Sequence, residues 1–301
     1  MTTRPLALTL FLAALMPAQA ALAELRVVTT TSDLAAIAKA VGGDRVEVTA
    51  LSLHTQDPHF VDARPHLTLA LARADLLLQV GLELEVGWLP TLQTGSRNAR
   101  IQRGAPGHLD CSQLVARLEV PTGRVDRSMG DVHPGGSPHY LMDPRRAEKV
   151  AAGVAERMAK LDAGLAAHYR AGAARFAKAL RSARGGWEKR LAKLRGKPVI
   201  AYHRSFAYLA DWLGLRVVAH VEPKPGVSPN PRHIAHVLML TRSQGVRAIL
   251  QESYYPANAS RALAERSSAQ LVIIPGGPDM RRGESYLDFV AALVGRLETL
   301  P

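Results

Sequence analysis

Residues 25–51 read LRVVTTTSDLAAIAKAVGGDRVEVTAL, and the spacing of their apolar positions decides the fold class. The apolar run at 25–30 predicts a buried strand, and residues 33–41 predict a helix with Ser32 or Asp33 as its N-cap. Residues 46–51 predict a second strand. A strand, a helix and a strand in this order are typical of a parallel sheet flanked by helices.

The same alternation continues along the chain and resumes after a helical interruption. Residues 66–73 predict a helix, and residues 76–80 predict the third strand of the first half. The second half is predicted to hold strands at 199–202, 217–221, 248–251 and 271–274, and helices at 206–213, 231–243, 259–267 and 285–297. We therefore expect two α/β lobes.

A long helical stretch separates the two halves. From Asp143 onward, apolar residues recur every three or four positions and form one stripe, which ends at Leu194. We expect this stretch to break or bend at Gly185 and Gly186. The predicted organisation is an N-terminal lobe at 24–142, a helical segment with the linking helix at 143–196, and a C-terminal lobe at 197–301. A cleft between two such lobes is a favoured place for a ligand.

The first 23 residues have the pattern of a secretory signal peptide. Arg4 supplies a positive charge, residues 6–16 are apolar, and two small-x-small cleavage sites follow, at 18–20 and 21–23. The alternative is a membrane anchor, which the short apolar run disfavours. We therefore expect export to the periplasm.

Composition excludes several classes of protein. Among 301 residues, 47% are hydrophobic, which excludes a disordered chain, and the single cysteine, Cys111, excludes a disulfide scaffold. The net charge of +12 is compatible with a nucleic acid or an anionic membrane surface as partner, and also with nothing more than a basic, Arg-rich proteome. Nucleic acid is disfavoured because the basic residues are not clustered with aromatic ones. Phosphate-binding loops, nucleophile elbows and His-Glu-x-x-His motifs are absent from the sequence.

Three of the eleven histidines lie where ligands of a shared metal ion would be expected. His203 directly follows a predicted strand, His59 lies in the loop after another, and His139 lies in a Gly- and Pro-rich loop. Open parallel sheets bind ligands beyond the carboxyl ends of their strands. A proline precedes His59 and His139 and stiffens the backbone there. Each imidazole could equally cap, pack or face water.

The remaining candidates have simpler interpretations. His233 and His236 are spaced i, i+3 on a predicted helix and are interpreted as its polar face. His54 and His133 are interpreted as loop residues that capture metal in passing, with a supporting role behind the metal ligands as the alternative. The last loop offers two carboxylates as a fourth ligand. Asp279 could be a turn residue, and Glu284 could complement the dipole of the final helix.

Five motifs together resemble one family. They are QDPHF at 56–60, RADL at 73–76 with VGLELE at 80–85, SPHYLMDP at 137–144, YHRSFAYL at 202–209 and GESY at 283–286. In this order, behind a signal peptide, they resemble the metal-binding solute receptors of bacterial ABC importers for zinc, manganese or iron. The similarity covers essentially the whole chain after the signal peptide.

The resemblance implies two α/β lobes, each with a mainly parallel four-stranded sheet, joined by one long rigid helix around a single metal ion. By position, His59 and His139 match the ligands of the N-terminal lobe, and His203 matches the third ligand. Glu284 matches a carboxylate that is usually Asp in the family, and Asp279 is the reserve. Zinc-type members carry a long His-rich loop before the second ligand, whereas residues 117–138 are short and hold only His133.

Three imidazoles and one carboxylate fit Zn²⁺, with Mn²⁺ as second choice because it prefers oxygen ligands. Four protein ligands leave no open position for an activated water, so we expect a receptor and not an enzyme. We predict a monomeric periplasmic protein that captures zinc and docks on an inner-membrane ABC permease, with a periplasmic metal chaperone as a further candidate partner. The alternatives are a manganese or iron receptor, a metal-dependent adhesin and a zinc hydrolase.

Overall fold

The computed structural model describes residues 24–130 and 132–301. The predicted signal peptide at 1–23 lies outside the described residues. The N-terminal lobe consists of β1 (Leu25–Thr29), α1 (Ser32–Gly42), β2 (Val46–Ala50), α2 (Pro65–Arg73), β3 (Leu76–Gln79), α3 (Leu89–Gly95) and β4 (His108–Asp110). Its four strands are parallel in the order β2-β1-β3-β4, which confirms the predicted sheet.

The C-terminal lobe repeats this plan. It consists of β5 (Pro198–Ala201), α6 (Ala207–Leu213), β6 (Arg216–His220), α7 (Pro231–Ser243), β7 (Ala248–Glu252), α8 (Asn258–Ser267), β8 (Gln270–Ile274) and α9 (Tyr286–Glu298). The strand order is β6-β5-β7-β8, again parallel throughout. Because both sheets are parallel, the carboxyl ends of their strands meet at one edge of each lobe, where loops can form a site.

Two helices connect the lobes, α4 (Pro144–Leu161) and α5 (Ala166–Arg190). The break expected at Gly185 and Gly186 is wrong, because α5 runs through both glycines without interruption, and the alternative of a bend there stays a prediction. The helical stretch breaks instead at Asp162, whose φ of −135° and ψ of 81° lie outside the helical region. A hydrogen bond of 2.9 Å from the hydroxyl of Tyr169 to the Asp162 carboxylate holds this turn. Two glycines in a helix cost about 1 kcal/mol each, which the packing of a long helix can offset.

One hydrophobic core passes through both lobes and the connecting helices. Buried tyrosines tie the lobes together within it. The hydroxyl of Tyr208 donates to the carbonyl of Ser137 at 2.9 Å and accepts from the amide of Leu118 at 3.0 Å. The hydroxyl of Tyr286 donates to the carbonyl of Leu141 at 2.7 Å. Buried hydroxyls need such partners, so these bonds stabilise the contact between the lobes.

Among the described residues, no helix combines the length and the hydropathy that a membrane span requires.

Candidate metal centre

Three imidazoles meet where the lobes face each other. His59 lies in the loop after β2, His139 precedes a short turn at Tyr140–Met142, and His203 follows β5. One ring nitrogen from each lies within 4.8 Å of the others. The ring centroids are 5.2 to 5.5 Å apart. Two nitrogens bound to one zinc ion lie about 3.3 Å apart, given bonds of about 2.0–2.1 Å, so a small contraction would complete a shared site.

Asp57 orients the ring of His59. Its carboxylate lies 2.7 Å from Nδ1 of His59 and accepts from the backbone amide of the same residue at 3.0 Å. Burial alone would raise the pKa of Asp57, but the hydrogen bond and the charge of His59 outweigh it, so this pKa lies below its usual value. A carboxylate on Nδ1 fixes the tautomer that leaves Nε2 as the ligating nitrogen.

Glu222 orients the ring of His203 in the same way. Both of these residues belong to the C-terminal lobe. Its carboxylate lies 2.7 Å from Nδ1 of His203, and both side chains are buried. Glu222 comes two residues after the end of β6, so the pair links two neighbouring strand ends of the C-terminal sheet. A carboxylate behind a ligating imidazole raises its basicity and its affinity for a cation.

His139 has a buried nitrogen without a hydrogen-bond partner. Its Nε2 atom contacts no donor or acceptor among the described residues. Burial, followed by the charges of His59 and His203, lowers the pKa of His139 well below its usual value. The ring is therefore neutral near pH 7 and can donate a lone pair. An unsatisfied buried nitrogen is unfavourable, and a bond to a cation would remove that penalty.

His133 contacts this cluster through His59, although the sequence favoured a loop residue. Its Nε2 atom lies 3.2 Å from Nε2 of His59, and the two rings stack with centroids 5.3 Å apart. Burial and the nearby His59 and His203 lower the pKa of His133 to about 4. The sequence did contain one signal for this residue: His133 is the only histidine of the shortened loop at 117–138.

The two acidic candidates lie outside this cluster. Glu284 is exposed and accepts a hydrogen bond of 2.9 Å from the amide of Asp279. Asp279 accepts from the amide of Arg281 and lies 3.8 Å from Nδ1 of His54. Within the described ranges, the structure brings neither carboxylate to the three imidazoles. Asp279 has the turn role that the sequence offered as the alternative, whereas Glu284 bonds to the turn and the N-terminus of α9 is capped by Ser285 and Asp288.

The helical histidines are also placed elsewhere. Nε2 of His233 is hydrogen-bonded to the carbonyl of His220 at 3.0 Å, and His236 is exposed on α7. This agrees with their interpretation as a polar helix face.

Glu252, the last residue of β7, is a further acid that the sequence did not single out. It is fully buried, and both of its oxygens lack a hydrogen-bond partner of normal geometry in the described part of the chain. Burial raises its pKa to about 8, an effect that the hydroxyl of Ser205 only partly offsets. Repulsion by Asp57 and Glu222 contributes to the increase, so Glu252 belongs to the acidic surroundings of the imidazoles. The sequence signal that could have identified Glu252 is its place at the end of a strand. Glu222 likewise comes just after the end of a strand.

Three imidazole nitrogens, two of them on rings backed by carboxylates, are donors of the kind that a divalent cation such as Zn²⁺ favours. Comparison with known proteins is consistent with this chemistry. A family model described as the periplasmic component A of the zinc-uptake complex, ZnuA, matches residues 27–300. The chain is similar to the high-affinity zinc uptake system protein ZnuA of Paracoccus denitrificans, with 25% identity over 274 residues, or 80% of each chain.

The chain is also 24% identical to the zinc-binding lipoprotein AdcA of Streptococcus pneumoniae over 92% of its own length and 56% of that protein. Among solved structures, a crystal structure of ZnuA superposes with a TM-score of 0.77 and 20% identity, over 92% of this chain and 99% of that one. The Mn-bound periplasmic metal-binding protein of Candidatus Liberibacter asiaticus has a TM-score of 0.75 and 19% identity, over 91% and 98% of the chains. These superpositions confirm the two-lobe fold.

Proposed function

The chain belongs to the family of periplasmic component A proteins of zinc-uptake complexes, and from this premise we propose that it captures Zn²⁺ between its lobes and delivers it to an ABC permease. The cluster of His59, His139 and His203 carries the proposal. The three imidazoles come from both lobes, and their nitrogens lie within 4.8 Å of one another. A bound cation would therefore connect the lobes, and its loss would loosen the contact between them.

The donor chemistry supports zinc over manganese. Zinc takes four ligands, commonly imidazole nitrogens, whereas Mn²⁺ prefers oxygen. The carboxylates of Asp57 and Glu222 are occupied in holding His59 and His203. Manganese is the second choice, and a similar fold has been solved with that metal bound.

Binding and release, without chemistry on the metal, is the proposed activity. A fourth protein ligand would complete a tetrahedral shell and leave no position for a reactive water. The predicted signal peptide at 1–23 and the family description support the periplasm as its location. We propose an inner-membrane permease as the receiving partner and a monomer as the working form.

Elemental analysis of the protein purified from periplasm tests this function. We expect close to one zinc ion per chain, and we expect Zn²⁺ to displace Mn²⁺ in a competition titration because the donors are nitrogens. Cells without the chain should stop growing in the presence of a zinc chelator, and zinc should restore growth. Protein that carries stoichiometric manganese, or none of these metals, would contradict the proposal.

The identity of the fourth ligand is a separate question. Glu284 remains the prediction from the resemblance, with Asp279 in reserve, and His133 is the candidate that the geometry adds. We expect His133→Ala to weaken zinc binding more than Glu284→Gln or Asp279→Asn, since His133 already contacts His59 at 3.2 Å. Competition titrations with a chelating dye measure all three variants. A larger loss in Glu284→Gln than in His133→Ala would assign the carboxylate instead.

A further inference from the structure

The positive charge of the chain is concentrated on one segment. Residues 166–198, which form α5 and the turn after it, contain ten Lys and Arg residues and one acidic residue, Glu188. This segment alone therefore carries +9 of the net charge of +12. The acidic side chain of Glu188 points to α6, where it accepts a hydrogen bond of 2.9 Å from Nε1 of Trp212.

Three of these ten basic residues lie on one line along the outer face of α5. Three basic residues, Arg175, Lys178 and Lys189, recur at helical spacing together with three small residues, Ala171, Ser182 and Gly185. All six are exposed, and we call them the basic stripe. The opposite face of α5 is buried, and its residues include Gly172, Phe176, Leu180 and Trp187. From Arg175 to Lys189 the stripe is about 21 Å long, at about 1.5 Å per residue.

The acids of neighbouring elements do not neutralise this stripe. They pair with the basic residues on its flanks: Arg170 with Glu156 at 2.8 Å, Arg181 and Arg184 with Glu148, and Arg190 with Glu298. Arg175, Lys178 and Lys189 form no ion pair with any residue that the structure describes. Their charge is therefore available to a partner.

The shape of the stripe indicates which partner it fits. Protein interfaces gain most of their affinity from a few large side chains seated in pockets. Between its bases the stripe has only small side chains, and a Cβ atom at Gly185 or Gly186 would contact nothing within 4 Å. A flat line of long basic side chains with little bulk between them suits a planar negative surface. Polybasic surfaces of this kind bind anionic lipid headgroups.

We propose that the basic stripe of α5 holds the protein against a membrane surface that contains anionic phospholipids. The interaction is electrostatic, so it is weakened by salt and requires no insertion of apolar side chains. It uses none of the residues that surround the imidazoles and does not depend on the proposed metal chemistry. On such a surface, the protein would diffuse in two dimensions beside membrane proteins.

Sedimentation with lipid vesicles tests the proposal. We expect the full mature chain to bind vesicles of phosphatidylcholine with 30% phosphatidylglycerol at low ionic strength, and not vesicles of phosphatidylcholine alone. The triple variant Arg175→Gln, Lys178→Gln, Lys189→Gln should bind on the order of 100-fold more weakly, from the contribution of about three basic residues near a charged surface. Inorganic phosphate at equal ionic strength should not compete.

A matched triple variant separates the stripe from the overall charge. Arg232→Gln, Arg261→Gln and Arg266→Gln remove three exposed bases of the C-terminal lobe and should leave most of the binding intact. Equal losses in both triple variants, or no binding to the anionic vesicles, would overturn the proposal. Preferential binding to polyglutamate over the vesicles would assign an acidic protein partner and would also overturn it. Both variants should bind zinc normally, so a failure of the zinc proposal would be seen separately.

Discussion

Replacing His203 by alanine is expected to weaken zinc binding by about 100- to 1,000-fold, and His59→Ala and His139→Ala should each have effects of the same size. Four ligands together give zinc an apparent binding free energy of about 10–16 kcal/mol, so one ligand accounts for roughly 3–4 kcal/mol. His203→Ala also leaves Glu222 buried without the imidazole that it holds at 2.7 Å. The loss of this buried hydrogen bond is a further cost.

Competition with a chelating dye at pH 7.5 measures these affinities. Two further variants serve as references, one for an intermediate loss of affinity and one for no loss. Asp57→Asn keeps every ligand but removes the carboxylate behind His59, so it should cost about 10- to 100-fold. His236→Ala removes an exposed imidazole of α7 and should change the affinity less than twofold. If His236→Ala matched the three ligand variants, the site would lie elsewhere.

The fold was predictable where local signals agree with packing. The helix predicted at 231–243 has the observed bounds of α7, since Asn230 caps it and Pro231 occupies its first turn. The helix α3 and the three-residue strand β4 were not predicted, because their local patterns are too short. The break at Asp162 was missed because the apolar spacing continues across it. A hydrogen bond from Tyr169, seven residues away, holds that turn.

Residues of the site were predictable where they follow the end of a parallel strand. His203 comes two residues after the end of β5, and a position beyond a parallel strand is where a ligand is expected. The contact between His59 and His133 joins residues 74 positions apart, and that between His203 and Glu222 joins residues 19 positions apart. Such contacts depend on how loops and lobes face each other. Local sequence patterns do not encode that arrangement.

Glu252→Gln is expected to stabilise the metal-free protein, and to do so only at higher pH. Glu252 is fully buried at the end of β7, and neither of its oxygens has a hydrogen-bond partner of normal geometry among the described residues. Burial raises its pKa to about 8. Its usual value is about 4.5, so the folded state keeps a proton that the unfolded state releases as the pH rises.

The sign of the effect follows from this difference. Between about pH 4.5 and pH 8 the folded state binds more protons than the unfolded state, so the free energy of unfolding falls as pH rises. At about 1.4 kcal/mol per pKa unit, the loss from this one group reaches about 3 kcal/mol at pH 7 and is nearly complete at pH 8. Glutamine has a similar volume and does not ionise, so Glu252→Gln removes the loss.

Urea unfolding of zinc-free protein at pH 4.5, 6 and 8 measures the difference between Glu252→Gln and the unchanged chain. Glu85, whose pKa burial raises to about 7, contributes equally to both proteins and cancels. We expect the difference to be near zero at pH 4.5 and to reach several kcal/mol in favour of the variant at pH 8. Glu265→Gln, an exposed position on α8, is the matched control and should show no such trend. If the free energy of unfolding had parallel pH profiles for Glu252→Gln and the unchanged chain, this carboxyl group would titrate normally. The acidic surroundings of the imidazoles would then be hydrated and not buried.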